Sequence, residues 1–128
     1  MGQEDGLMQH HILVVDDDLD LRLILDEFLT SEGYSVATAA TGEEAFTRID
    51  EQRPDLLLLD LAMPGKAGWD VIADAREAEI NIPIVLMTGQ YEAKMEAELC
   101  GAAGALAKPF ELESVLAVVR QWTAQKAS

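Results

Sequence analysis

Four apolar runs in this chain each end on residues able to take part in ionic chemistry. His11 to Val15 leads into Asp16-Asp17-Asp18 and Leu56 to Leu59 into Asp60; Ile82 to Met87 leads into Thr88-Gly89 and Gly104 to Ala107 into Lys108-Pro109. A carboxylate at the end of a buried run is costly unless it is solvated, paired or neutralised by a cation. If Asp16, Asp17 and Asp60 come together, their like charges raise one another's pKa unless a cation sits between them. Oxygen ligands at a wet rim suit Mg²⁺, which takes one or two carboxylates and keeps several waters. The chain has no cluster of cysteine and histidine that would suit zinc. Lys108 adds a fixed positive charge opposite the acids, and Thr88 adds a hydroxyl. Metal, lysine and hydroxyl together make a clamp for the oxygens of a phosphoryl group. A carboxylate acceptor in that clamp would form an acyl phosphate.

The elements that must bring these residues together can be read from periodicity. HILVVD (11–16) is a β-branched apolar run, the pattern of a strand covered on both faces. Leu21, Ile24, Leu25, Phe28 and Leu29 repeat at helical spacing, and Gly33 stops that helix. A second strand spans 34–39, and Thr41-Gly42-Glu43-Glu44 opens a helix that ends before Arg53-Pro54. The third strand is DLLLLD (55–60), followed by a helix over about 68–78. A fourth strand is expected over 82–88, a fourth helix over 91–100, a short fifth strand over 104–107 and a last helix over 111–125. This repeated alternation with short connections predicts right-handed βαβ units and a parallel sheet with helices on both faces. The fold class is therefore α/β, a single doubly wound domain. In such sheets ligands bind outside the carboxyl ends of the strands, where all four polar strand ends lie.

Composition narrows the function. The 128 residues are 49% hydrophobic, enough for a packed core. A formal net charge of -15 disfavours direct binding to nucleic acid or to anionic membranes. No run reaches the roughly 18 apolar residues of a membrane span, and MGQEDGLMQH lacks the features of a signal peptide. The lone Cys100 excludes an internal disulfide and fits a reducing compartment, so a cytoplasmic location is expected. The expected organisation is a disordered lead over 1–9, one domain over 10–125 and a tail over 126–128. His10 and His11 are expected to be inert, with His11 opening the first strand.

The motifs VVDDD, LLLLDLAMPG, VLMTG and AKPF stand in one order and spacing. Together they make residues 11 to about 124 resemble the response-regulator receiver domain of bacterial two-component signalling. The resemblance implies a flavodoxin-like sheet of order 2-1-3-4-5. It implies Asp60 as phospho-acceptor from a histidine kinase or histidine phosphotransfer protein. Asp16 and Asp17 would hold Mg²⁺ with Asp60 and the Ala62 backbone carbonyl. Thr88 would be the switch hydroxyl, and Lys108 the phosphate-binding lysine ahead of a cis proline. Such a domain is a signalling switch, catalysing only its own phosphoryl transfer and dephosphorylation. Its output partner, or a second copy, would read the face made by the fourth helix, fifth strand and fifth helix. On the fifth helix, Leu112, Leu116 and Val119 form one stripe and Val115, Val118 and Trp122 a second, which either docks a partner or widens the buried face.

Departures from the family pattern bear on rate and readout. Ala62 and Gln90 border the path of hydrolytic water, and Lys66-Ala67-Gly68 alters a loop. Ala105 stands where an aromatic usually reports the switch; Tyr91 either replaces it or caps the fourth helix. Asp18 is expected as the N-cap of the first helix. A phosphatase with its acceptor on Asp16 is disfavoured because Leu19-Asp20-Leu21 follow where such enzymes place a threonine. A phosphorylation-independent interaction module is disfavoured by the intact set Asp16, Asp17, Asp60, Thr88 and Lys108.

Overall fold

In the computed structural model, which describes residues 9–60, 68–89 and 104–127, Leu56 and Leu58 enter one core layer and Leu57 and Leu59 the other. Successive side chains of a strand point to opposite faces, so an unbroken apolar run fills both layers at once. The strands are β1 (His11–Val15), β2 (Ser35–Ala39), β3 (Leu56–Asp60), β4 (Ile84–Gly89) and β5 (Gly104–Lys108). They pair in parallel in the order β2-β1-β3-β4-β5, as expected.

The described helices are α1 (Leu19–Ser31), α2 (Gly42–Glu51), α3 (Gly68–Glu77) and α4 (Leu112–Ala127). α2 and α3 pack Ala45, Ile49, Val71 and Ile72 against Leu13, Val15, Leu57 and Leu59. α1 and α4 pack Leu25, Leu29, Val115 and Val119 against Ile12, Val14, Leu56 and Leu58 on the opposite face. The sheet is thus doubly covered. Residues 1–8 of the lead expected over 1–9, the helix expected over 91–100 and Ser128 lie outside the described residues.

Local chemistry sets the helix ends. Asp18 caps α1, its carboxylate accepting the Asp20 and Leu21 N–H groups at 3.0 and 3.4 Å. Thr41 caps α2 by accepting the Glu44 N–H at 3.1 Å, while Glu44 reaches back to the Ala40 N–H at 2.7 Å. α1 stops in a Schellman motif: the Gly33 N–H donates to Thr30 O and the Tyr34 N–H to Leu29 O, with Gly33 at φ 100. α3 ends in the same pattern, Glu79 to Arg76 O and Ile80 to Ala75 O, with Glu79 at φ 59.

One expectation is corrected. β4 begins at Ile84 rather than residue 82, because Pro83 has no N–H to offer the ladder, although its carbonyl still accepts the Leu57 N–H at 3.0 Å. Of the two readings left open for the stripes on α4, the wide buried face is the one seen. Val115 and Val119 are fully buried along its centre, and Leu112, Leu116, Val118 and Trp122 are half-buried against the same layer. Residues four apart lie over one another on a helix, so Val115, Val119 and the buried Thr123 form its axis. Among the described residues no helix is long and apolar enough to cross a membrane.

Candidate functional site

Parallel register delivers the strand ends to one edge. Val15 is level with Leu59, Asp60 with Met87, Thr88 with Ala107 and Gly89 with Lys108. Asp16 sits one residue beyond β1, its N–H donating to Ala39 O at 3.1 Å. One carboxylate oxygen from each of Asp16, Asp17 and Asp60 lies within 4.8 Å of the others. Asp16 is 0% and Asp60 4% exposed, whereas Asp17 is open to solvent.

Lys108 compensates the two buried charges. Its Nζ lies 2.8 Å from Asp16 Oδ2 and 3.4 Å from Asp60 Oδ2. Burial alone would lower the lysine pKa, but the Asp16 hydrogen bond and the charges of Asp16 and Asp60 outweigh it and raise the pKa. The Lys108-Pro109 peptide is cis, as the resemblance implied.

The rest of Asp16 is held as tightly. Its Oδ1 accepts the Asp18 N–H at 2.9 Å, and its backbone carbonyl accepts from Arg22 Nη1 at 2.8 Å. Asp18 is spent on the cap of α1, as expected, which leaves it poorly suited to be the second acid of a phosphatase. Arg22 escaped the sequence reading. Its signal was a basic residue in the opening turns of a helix, where the macrodipole disfavours a cation.

Of the remaining expected site residues, Thr88 is placed by its backbone on β4 beside Ala107. Ala62, Gln90 and Tyr91 lie outside the described residues, as do Lys66 and Ala67. Ala105, level with Leu86 on β5, packs against the layer covered by α2 and α3. His11 opens β1 as expected and is buried at the opposite end of that strand from Asp16, with Nδ1 2.9 Å from Ser35 Oγ.

The donor set suits a hard divalent cation: three carboxylates, two deeply buried and one open to water, with no nitrogen or sulfur ligand in the cluster. Such a rim, carrying a lysine opposite its acids, has the parts needed to stabilise a transferred phosphoryl group.

The sequence profile of the family described as "Response regulator receiver domain" matches residues 12–120, and the chain belongs to that family. It is a receiver domain of two-component response regulators, and phosphoryl acceptance on an aspartate is a property of that family. Sporulation initiation phosphotransferase F of Bacillus subtilis is 32% identical over 124 residues, spanning 95% of this chain and 100% of that protein. DNA-binding response regulator MtrA of Mycobacterium tuberculosis is 40% identical over 116 residues, spanning 88% of this chain and 50% of that protein. The chain thus spans about half the length of the MtrA proteins it matches. Response regulator protein TrrA of Thermotoga maritima, solved in complex with Mg²⁺-BeF, superposes with a TM-score of 0.79 at 32% identity, over 89% of this chain and 99% of that one.

Proposed function

We propose that Asp60 is the phosphoryl acceptor, that Asp16, Asp17, Asp60 and the Ala62 carbonyl hold Mg²⁺, and that Lys108 and Thr88 grip the transferred group. The observation that carries this reading is Lys108 reaching both Asp16 and Asp60, at 2.8 and 3.4 Å, beside three clustered carboxylates. Asp16 is a poor nucleophile, being fully buried with Oδ1 on the Asp18 N–H and Oδ2 on Lys108. Asp17 is solvated and stands off the strand ends.

A carboxylate oxygen of Asp60 attacks the phosphorus of a phosphohistidine on a histidine kinase or histidine phosphotransfer protein. A P–O bond forms, the P–N bond breaks, and its electron pair and a proton remain with the departing imidazole. Lys108 turns its donors from the carboxylates to a phosphoryl oxygen, and the Thr88 hydroxyl donates to another. Bound Mg²⁺ supplies the positive charge that lets carboxylates and phosphoryl oxygens share one rim. The chain thereby catalyses its own phosphorylation and, with water, its own dephosphorylation. The product adds nearly two negative charges, which Thr88 and Lys108 follow. The face that carries β5 and α4 then shifts toward the form read by an output partner or a second copy. The receiver domain begins at about residue 10, takes in α4 through Ala127, and works in the cytoplasm. Its acidic surface contacts neither nucleic acid nor membrane directly.

Incubation with acetyl phosphate and Mg²⁺ should add a single acid-stable, base-labile phosphate, and Asp60→Asn should abolish it. A label retained by that variant refutes the assignment.

A further inference from the structure

Asp16 is held at every polar atom, and one of these bonds comes from a residue with no part in the chemistry above. β1 pairs with both neighbours only as far as Val15, so the Asp16 carbonyl has run past the ladder. Arg22 Nη1 donates to it at 2.8 Å across the first turn of α1. The bond closes a ring of contacts. The Asp18 N–H donates to Asp16 Oδ1 at 2.9 Å, the Asp20 N–H to Asp18 Oδ1 at 3.0 Å, and the Arg22 N–H to Asp18 O at 3.0 Å. The guanidinium then returns to Asp16, and Asp17 stands exposed within the ring.

We propose that Arg22 is a positioning residue for the cation site. It fixes the Asp16-Asp17-Asp18 turn so that the Asp16 and Asp17 carboxylates stay gathered with Asp60. The proposal rests on the reading of this rim as a Mg²⁺ site. A cation near a helix N-terminus opposes the macrodipole, so the bond to Asp16, and not the place on the helix, stabilises the guanidinium there.

Charge and position make opposite demands, which gives the test its sign. As a bare positive charge near three acids, Arg22 repels Mg²⁺, and its removal would tighten binding. As the residue that shapes the turn, its removal weakens binding. Arg22 is half-buried and its field is partly screened at physiological salt, whereas loss of an outer-shell partner typically lowers metal affinity about 10- to 100-fold. Position prevails.

The experiment is a calorimetric Mg²⁺ titration of the full chain at about 0.15 M salt, with wild type, Arg22→Met, Arg22→Ala and Arg22→Lys. The expected result is about tenfold weaker binding in Arg22→Met and Arg22→Ala, with Arg22→Lys between them and wild type. The backbone amide resonance of Asp17 should also move in the metal-free variants. Arg22→Ala, carrying the best helix former, decides the matter if Arg22→Met does not fold. Affinity equal to or tighter than wild type in the neutral variant overturns the positioning role and leaves the Mg²⁺ site standing. A wild-type chain that binds no Mg²⁺ overturns the site reading itself.

Discussion

Lys108 serves as the resident cation of the metal-free site, and Lys108→Met isolates that role because methionine keeps much of the stem and none of the charge. The lysine lies 2.8 Å from the fully buried Asp16 and 3.4 Å from Asp60, and its own side chain is 32% exposed. Removing one partner from a fully buried pair destabilises by about 3–5 kcal/mol. Here the exposed flank of the lysine lets water screen the pair, and the orphaned acids can share a proton. A loss of about 2 kcal/mol is therefore expected, or roughly 6–10 °C in Tm for a chain of this length. Mg²⁺ should restore most of it, because the ion replaces the missing charge and no longer competes with an ammonium for Asp16. The assay is urea unfolding of both proteins with and without saturating Mg²⁺, where binding to the folded state adds RT ln(1 + [L]/Kd). The variant should be the less stable without metal and gain more on adding it. Equal metal-free stabilities, or an equal Mg²⁺ gain, would refute the view that the lysine neutralises the acids.

Two predictions address the scaffold. Glu79→Gly should stabilise the fold by about 1 kcal/mol, because Glu79 holds a left-handed conformation in the same hydrogen-bond pattern in which α1 uses Gly33. The reciprocal Gly33→Ala should lose a similar amount, about 1 kcal/mol, and urea midpoints moving the other way would refute the shared motif. The second concerns His11, whose pKa is lowered chiefly by burial, although Ser35 and Asp55 pull it up. The folded state therefore favours the neutral ring: its stability is intact above the ordinary value of 6.5 and falls as pH drops below it, until the folded His11 itself protonates. Between about pH 7 and 5.5, the wild type should lose more stability than His11→Asn, and parallel pH profiles would refute it.

What the sequence made legible follows from how this site offends local rules. A charged or polar residue closing an apolar run is conspicuous, and parallel register alone carries Asp16, Asp60 and Lys108 to one edge once their strands are known. Sheet order did not follow from periodicity; it came with the resemblance, since a pattern of alternation does not say which strand lies beside which. The stripes on α4 stayed undecided between a docking face and a wide buried one because helical spacing identifies residues that share a face without saying how deep the facing layer reaches. Here that layer extends from Leu112 to Trp122 and takes both stripes. Glu79 escaped notice because its backbone conformation is imposed by the turn into β4, and nothing in its residue type announces it. Arg22 is the instructive miss. A basic residue near a helix N-terminus also offends a local rule, but by a few tenths of a kcal/mol up to about 1, against the several kcal/mol at stake for an uncompensated buried carboxylate. The residues proposed to do the chemistry break rules loudly; the one proposed to hold them in place breaks a rule quietly, and only the 2.8 Å bond to the Asp16 carbonyl exposes it.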